Sequence, residues 1–256
     1  MTGGVRWLLL FFVVLTTCTV LMAAQGQAPT QAKSSVPPQA ATISKESMQV
    51  FLEGQRCMGL NNPAYSLDKN DVGMAARNDA GDKALQYFRQ VTTMYPKFAE
   101  GWLWLGIVLT ERLQYSKQAP KGELLRSEDD IHKGIDAFHN AYLCDTNNLL
   151  CVTYYGEALM AYQGDFEAAS KLWEQYLLVA KTDMQRVTAL TQAGRAYFNM
   201  GYFGKRRKNM SAKTIKRNYL TAEGYIEQAA KICPNTPSVK EMQGLLQQYR
   251  STLYGK

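Results

Sequence analysis

The chain has 256 residues and a mass of 28.8 kDa, and 46% of its residues are hydrophobic. These values exclude a disordered chain and leave room for one sizeable core or two small ones. The formal charge is +7, from 29 basic and 22 acidic residues. Seven of the basic residues lie between positions 205 and 217, and without them and Arg6 the counts are 21 and 22. The positive field therefore belongs to one segment.

The N-terminus has the pattern of a targeting segment. Arg6 precedes an apolar run over residues 7–24, and small residues follow at positions 26 and 28, the spacing of a cleavage site. We interpret residues 1–28 as an export signal. Two alternatives stay open: an uncleaved membrane anchor, because about 18 apolar residues approach the length of a spanning helix, and lipidation at Cys18.

The rest of the chain divides into a linker and a helical domain. Residues 29–45 are rich in Pro, Ser, Gln and Ala without apolar periodicity, which indicates a flexible linker. Beyond them, turn signals separate amphipathic segments, and there are no runs of alternating β-branched residues. We therefore predict an all-α domain over residues 46–256.

A pattern of small and large residues recurs along this domain. Its first copy is Ala84, Phe88, Val91 and Pro96. The same offsets recur in Gly134, Phe138, Ala141 and Thr146, and in Ala222, Ile226, Ala229 and Pro234. Small residues let two antiparallel helices approach closely, large apolar residues fill the neighbouring grooves, and proline ends the second helix. The pattern therefore predicts repeated helix pairs.

This spacing resembles the tetratricopeptide repeat (TPR) family, most clearly in ALQYFRQVTTMYPKFAEGWLWLG at residues 84–106. GDFEAASKLWEQYLLVA, at residues 164–180, resembles the family's turn and second helix. The resemblance covers residues 47–253. It implies a right-handed superhelix of about four antiparallel helix pairs, closed by a capping helix from Ser238 to Leu253. The predicted first helix, residues 47–60, has an apolar face but no clear Leu-Gly pair.

Insertions extend several of the turns inside the pairs. In the family, the first-helix glycine and the second-helix small residue lie about twelve residues apart. The separations here are 28 from Gly106 to Gly134, 28 from Gly194 to Ala222, and 13 from Gly156 to Ala169. The first pair also has a long connection, over residues 61–78. Because equivalent turns lie along one edge of a solenoid, we predict that the insertions share a face.

The insertion of the fourth pair is basic and contains no acidic residue. Its cations are Lys205, Arg206, Arg207, Lys208, Lys213, Lys216 and Arg217. We predict a loop over residues 202–210, followed by a helix that Ser211 caps. The charges fit either a solvated face or a contact with anionic lipid, an anionic polymer or an acidic protein. We expect no nucleic-acid partner, because few aromatic residues interleave the cations and an export signal precedes them.

The resemblance also implies a binding groove. In the family, the first helices of the pairs line a concave surface that binds an extended peptide or a helix. The positions carried over to this chain are Leu103, Ile107, Thr110, Thr153, Glu157, Met160, Thr191, Arg195 and Phe198. The alternative is that individual members of this set pack against neighbouring helices.

No group of residues predicts catalysis, a cofactor or a metal. His132, Asp136 and His139 share a helical stripe, but it lies opposite the apolar stripe, so we expect an exposed face there. There is no phosphate-binding glycine loop and no nucleophile elbow. Cys144 and Cys151 are close in sequence and form a candidate disulfide in an oxidising compartment. The alternative is that the cysteines are buried thiols.

Together, these features favour a non-catalytic scaffold or assembly factor in a bacterial periplasm or cell envelope, with a protein or peptide partner. The alternative is a membrane-associated adaptor whose basic insertion, residues 205–217, binds anionic lipid or polymer. Both interpretations depend on the family resemblance, and a fold does not by itself determine a function.

Overall fold

The structure is a computed structural model that describes residues 43–65, 73–125 and 127–254, the last four of these without their side chains. The predicted export signal and most of the predicted linker lie outside the described residues. Within them the chain forms nine α-helices and one short β-ribbon. The described residues divide into two compact units, those up to residue 144 and those from residue 145, which we call unit 1 and unit 2.

Unit 1 contains two helix pairs and the ribbon. Its helices are α1 (Lys45–Asn61), α2 (Met74–Met94), α3 (Ala99–Glu111) and α4 (Glu128–Cys144). Strand β1 (Leu113–Gln114) pairs antiparallel with β2 (Glu123–Leu124). The first helix begins at the last residue of the predicted linker, because the Ser44 hydroxyl accepts the Ser47 N–H and caps it there.

Unit 2 contains two further pairs and a closing helix. Its helices are α5 (Leu149–Ala158), α6 (Phe166–Leu177), α7 (Asp183–Arg207), α8 (Ala212–Ile232) and α9 (Pro237–Tyr254). A turn of π-helix, Leu159–Gln163, extends α5. The closing helix, predicted from Ser238 to Leu253, is confirmed as α9. It buries Val239, Met242 and Leu246 in the same apolar cluster as residues of α7 and α8. The prediction of an all-α chain of packed helix pairs is confirmed.

One contact recurs in all four pairs. A glycine of the first helix faces a large buried side chain of the second, so closely that a Cβ atom would lie 2.5–2.9 Å from it. These contacts are Gly54 with Phe88, Gly106 with Phe138, Gly156 with Trp173, and Gly194 with Ile226. Each large residue lies four positions after the small residue of the repeat pattern, on the same helical face. The positions that repeat in the sequence are therefore also the positions at which the helices of each pair come closest.

Gly54 supplies the glycine that the predicted first helix lacked. A Cβ there would lie 2.9 Å from the ring of Phe88, which is fully buried. Gln55 and Arg56 follow this glycine, and no leucine precedes it directly. Gly54 is 30 residues from Ala84, because a long connection lies between them. The first pair therefore has the same close approach as the others without their sequence signature.

The insertion of the second pair folds back onto the first pair. Asn61, at the end of α1 and fully buried, exchanges two hydrogen bonds with the backbone of Leu113, at 2.8 Å each. Asn78 does the same with the backbone of Tyr115, at 3.0 and 2.8 Å. The Tyr115 hydroxyl in turn donates to the Asn61 carbonyl at 2.6 Å. This insertion is therefore part of the packed structure of unit 1.

We expect Asn61→Ala to lower the free energy of unfolding by about 1 to 3 kcal/mol, because the part-buried N–H and C=O of Leu113 lose their amide partner. Urea unfolding would measure the loss. The matched control is Asn147→Ala, at an exposed loop position, which should stay within about 0.5 kcal/mol of the parent protein. Equal stability of the two variants would contradict a structural role for the insertion.

The prediction of a loop over residues 202–210 is wrong for most of that segment. Helix α7 continues to Arg207, and only residues 208–211 separate it from α8. Gly201 and Gly204 allow this extension, because Cβ atoms there would lie 3.1 Å from Tyr219 and 2.9 Å from Met210. The predicted cap is confirmed: Ser211 accepts the Thr214 N–H at 3.1 Å. Both helices of the fourth pair are therefore long.

Candidate interaction surfaces

The predicted groove residues are mostly buried. Glu157 keeps the most exposed side chain, at 19%. The other eight are each less than 9% exposed: Leu103, Ile107, Thr110, Thr153, Met160, Thr191, Arg195 and Phe198. These eight side chains are thus packed inside the protein, as the alternative interpretation expects. Peptide binding at them stays a prediction.

The threonines of this set bond within their own helices. The hydroxyls of Thr110, Thr153 and Thr191 donate to the carbonyls four residues earlier, at 2.9, 2.7 and 2.7 Å. Phe198 packs edge-on against Tyr219 and Tyr249, with ring centroids 5.4 and 5.1 Å apart. The threonine hydroxyls are therefore satisfied within their own helices, and Phe198 contributes to the packing between helices.

Two predicted groove residues, Glu157 and Arg195, meet in a charged cluster in unit 2. Arg195 on α7 is 7% exposed, and its Nη1 lies 3.5 Å from Glu157 Oε1 on α5. Its Nη2 lies 3.6 Å from Oε2 of Glu241, on the closing helix. Gln192, one turn before Arg195, donates to Glu157 Oε1 at 2.7 Å. We call these four residues the arginine cluster.

The arginine cluster has polar atoms without a hydrogen-bond partner. They are Arg195 Nε, Gln192 Oε1 and Glu241 Oε2, and all three are buried. Both ion pairs of Arg195 are longer than a charged N–H···O hydrogen bond, which usually measures about 2.8 Å. Burial raises the pKa of the Glu157 carboxyl, while the Arg195 charge and the Gln192 amide partly oppose this shift. One donor and one acceptor of the cluster thus lack a polar contact, and Glu241 Oε2 has only its long ion pair with Arg195.

Sequence reasoning missed two members of this cluster. Glu241 lies in α9, for which no groove positions were derived. Gln192 lies three residues before Arg195, a spacing that places both on one helical face. That spacing was the only available signal for Gln192.

The basic insertion forms the end of the α7–α8 hairpin, which we call the basic tip (residues 205–217). All seven of its cations are exposed. Lys205, Arg206 and Arg207 lie in the last turn of α7, where positive charge favours the helix. Lys213, however, lies in the first turn of α8, which has no acidic residue, and Lys216 and Arg217 follow in the next. Cations there oppose the helix dipole, so helix stability does not explain them.

Two arginines of the basic tip lie over aromatic rings. The Arg206 guanidinium is 5.6 Å from the Tyr202 ring centroid, and that of Arg207 is 5.8 Å from the Phe203 centroid. Arg206 also donates to the Tyr202 hydroxyl at 3.2 Å. These contacts orient the guanidinium groups and leave their charge accessible.

A cavity of about 200 Å³ lies at the base of the basic tip. We call it the tip pocket. The stacked rings of Phe166 and Phe203, 5.2 Å apart, form part of its wall, and Met200 and Met210 add flexible apolar surface. The Arg207 side chain also lines it. Asp165, Glu167 and Asn209 line it as well, so the pocket is open and combines an aromatic and methionine wall with polar and charged groups.

The cysteines of the candidate disulfide are thiols in the structure. Cys144 ends α4, and its Sγ donates to the Pro96 carbonyl at 3.4 Å. Cys151 is buried near the start of α5. A disulfide between them stays a prediction for an oxidised form of the protein.

Within the described ranges, no group of three His, Cys, Asp or Glu side chains is arranged to hold a metal ion. The helices of that part of the chain are all too short or too polar to cross a membrane. No protein-family model matches the chain, and no curated protein matches it either.

Proposed function

We propose that the chain is a non-catalytic scaffold of the TPR kind, a right-handed superhelix of helix pairs that binds a protein partner. The recurring glycine contact carries the proposal, because it occurs in all four pairs at one register. Stacked repeats of this construction present extended surfaces suited to protein binding. The N-terminal pattern supports export to a bacterial periplasm or cell envelope.

The arginine cluster is the proposed contact for a peptide or helix in the groove. Arg195 Nε and Gln192 Oε1 have no hydrogen-bond partner, and they would bond to the C=O and N–H groups of a peptide backbone after a side-chain rearrangement that uncovers them. Glu157 and Glu241 keep 19% and 28% of their side chains exposed, so the cluster borders on solvent. A partner that supplies these hydrogen bonds would remove the cost of the unpaired groups.

In-cell crosslinking with mass spectrometry tests the scaffold function on the full chain. We expect reproducible protein adducts of the wild type, and a loss of up to about tenfold for Gln192→Leu, because a hydrogen bond between neutral groups contributes about 0.5 to 1.5 kcal/mol. Gln163→Leu, at an exposed position in the same unit, is the matched control and should keep the adducts. A wild type without any protein adduct would exclude the scaffold function.

A second candidate function is a membrane-associated adaptor, in which an uncleaved N-terminus and the basic tip contact anionic lipid. The seven exposed cations favour it, since each cation near an anionic surface contributes about 1 kcal/mol. The two candidate functions differ in whether the N-terminus is retained, and intact-mass analysis of the native protein measures this. A mass that lacks residues 1–28 would exclude the anchored version.

A further inference from the structure

We propose that the basic tip and the tip pocket together bind an acidic protein segment that carries one large apolar side chain. Its carboxylates would pair with the cations of the tip, and its apolar side chain would enter the pocket. This proposal rests on the scaffold function. It names a partner for a second surface, which has no residue in common with the arginine cluster.

Charge complementarity is the first argument. No acidic residue occurs between Asp183 and Glu223. Six of the seven tip cations make no ion pair with any described carboxylate; they are Lys205, Arg206, Arg207, Lys208, Lys213 and Arg217. The guanidinium groups of Arg206 and Arg207, oriented by the rings beneath them, suit two-bond pairing with carboxylates. The surface therefore fits a polyanion.

Two carboxylates line the pocket, and each is engaged by a group of α6, so the partner's apolar side chain would lie there and its carboxylates at the cations of the tip. Asp165 caps α6 and accepts the Ala168 N–H at 2.9 Å. Glu167 pairs with Lys171 at 2.7 Å. The exposed cation at the pocket is thus Arg207, and it lies above the Phe203 ring that forms the apolar wall.

The shape of this surface favours a protein segment over a membrane. Helices that bind membranes insert protruding Trp, Phe or Leu side chains between their cations. Residues 205–217 are all described, and none of them is an exposed large apolar side chain. Leu220, three residues after Arg217, is 48% exposed, but the other apolar groups near the cations line an open pocket of about 200 Å³. A single side chain can fill such a cavity, whereas the plane of a membrane cannot.

Two synthetic peptides test the proposal with the full-length protein. Both contain glutamates around one central residue, which is Trp in one peptide and Ser in the other. We expect fluorescence anisotropy at about 0.1 M salt to show binding of both peptides. The Trp peptide should bind about tenfold more tightly, because its ring leaves water. Equal affinity of the peptides, or no binding of either, would overturn the proposal.

Variants of the tip locate the binding. Replacing Lys205, Arg206 and Arg207 by Gln should lower the affinity for the Trp peptide about tenfold. The matched control replaces three exposed lysines elsewhere by Gln and should leave the affinity unchanged; they are Lys97, Lys121 and Lys240. Equal effects of the two triple variants would mean that the peptide responds to net charge alone, and the proposal would be wrong.

Met200→Glu tests the pocket. Met200 is only partly buried, so the variant should keep its melting temperature while its carboxylate repels the acidic peptide, and we expect the Trp peptide to bind about tenfold more weakly. Met184→Glu makes the same charge change at an exposed site of α7 and should have little effect. Equal affinities of these two variants would show that the pocket takes no part and would overturn the proposal.

Phosphatidylglycerol vesicles provide the lipid comparison. If they bind the wild type but not the triple Gln variant, and neither peptide binds, the tip contacts a membrane surface and the proposal is wrong. The scaffold function would survive that result, because its own test detects protein adducts anywhere on the chain. Absence of those adducts, with the Trp peptide still bound at the tip, would instead remove the scaffold function.

Discussion

Gly106→Leu is expected to lower the free energy of unfolding of unit 1 by about 3 kcal/mol, the upper end of the usual cost of overpacking. A Cβ atom at position 106 would lie 2.5 Å from Cδ1 and Cε1 of Phe138. Phe138 is 2% exposed and has little room to move. The approach is close from both sides, since a Cβ at Gly134 on α4 would lie 2.6 Å from Thr110 on α3. The two helices would therefore have to separate.

Two glycine-to-alanine variants make this test sharper, because we expect them to change the free energy of unfolding in opposite directions. Alanine favours a helix over glycine by up to about 1 kcal/mol. Gly244→Ala, in α9, should therefore be neutral or stabilising, as a Cβ there meets nothing within 4 Å. Gly106→Ala should destabilise despite the same helix preference. Denaturant unfolding measures both, and a stabilising Gly106→Ala would refute the close approach of the two helices.

Arg195→Met should cost about 3 to 5 kcal/mol at neutral pH, because it leaves two carboxylates without their shared counter-charge. Glu157 Oε1 and Glu241 Oε2 are both within 4 Å of the Arg195 guanidinium, at 3.5 and 3.6 Å. The methionine side chain fills much of the same space, so the loss comes mainly from charge. Urea unfolding at pH 7 would measure it.

The cost of Arg195→Met should also depend on pH. Burial already raises the pKa of Glu157 above its ordinary value of 4.5, and loss of the neighbouring positive charge raises that pKa further. A raised carboxyl pKa means that the folded state holds its proton where the unfolded state has lost it. Stability therefore falls as the pH rises from 4.5 to the folded-state pKa. The variant should lose less stability at pH 5 than at pH 7.

A neutral triple variant is the control for this cluster. Replacing Arg195 by Met together with Glu157→Gln and Glu241→Gln removes every charge of the arginine cluster. This triple variant should recover most of the stability that Arg195→Met alone loses. It should also lack the extra pH dependence of the single variant. If the triple variant were as unstable as Arg195→Met, lost packing of the arginine side chain would be the cause.

The helix pairs were predictable because their packing depends on local spacing. Ala84 and Phe88, or Ala222 and Ile226, lie four apart on one helix and meet one facing helix. Gly54 escaped the same reasoning, since no leucine precedes it directly. The end of α7 escaped it for another reason. A run of cations beside two glycines has low helix preference, and the contacts with Tyr219 and Met210 that stabilise it are tertiary.

The candidate sites were less predictable than the fold. Side chains were assigned to the groove by position along each helix, and position does not determine how deeply a neighbouring helix buries them. Thr191 and Phe198 illustrate this, because each has partners within unit 2. The arginine cluster depends on Glu241, some 46 residues beyond Arg195. No periodicity within one helix indicates a contact across that separation.

The cations of the basic tip take no part in the glycine contact at the middle of the fourth helix pair, so their charges are exchangeable. The contact between Gly194 and Ile226 lies below the tip, and it has the same form as the contact between Gly156 and Trp173 in a pair whose turn is short. Ile215 of the tip is buried in the apolar cluster of unit 2, so the exchangeable positions are the exposed ones, which evolution could recharge without redesigning the core. For protein engineering, this hairpin is a natural place to graft a new recognition sequence onto a stable body.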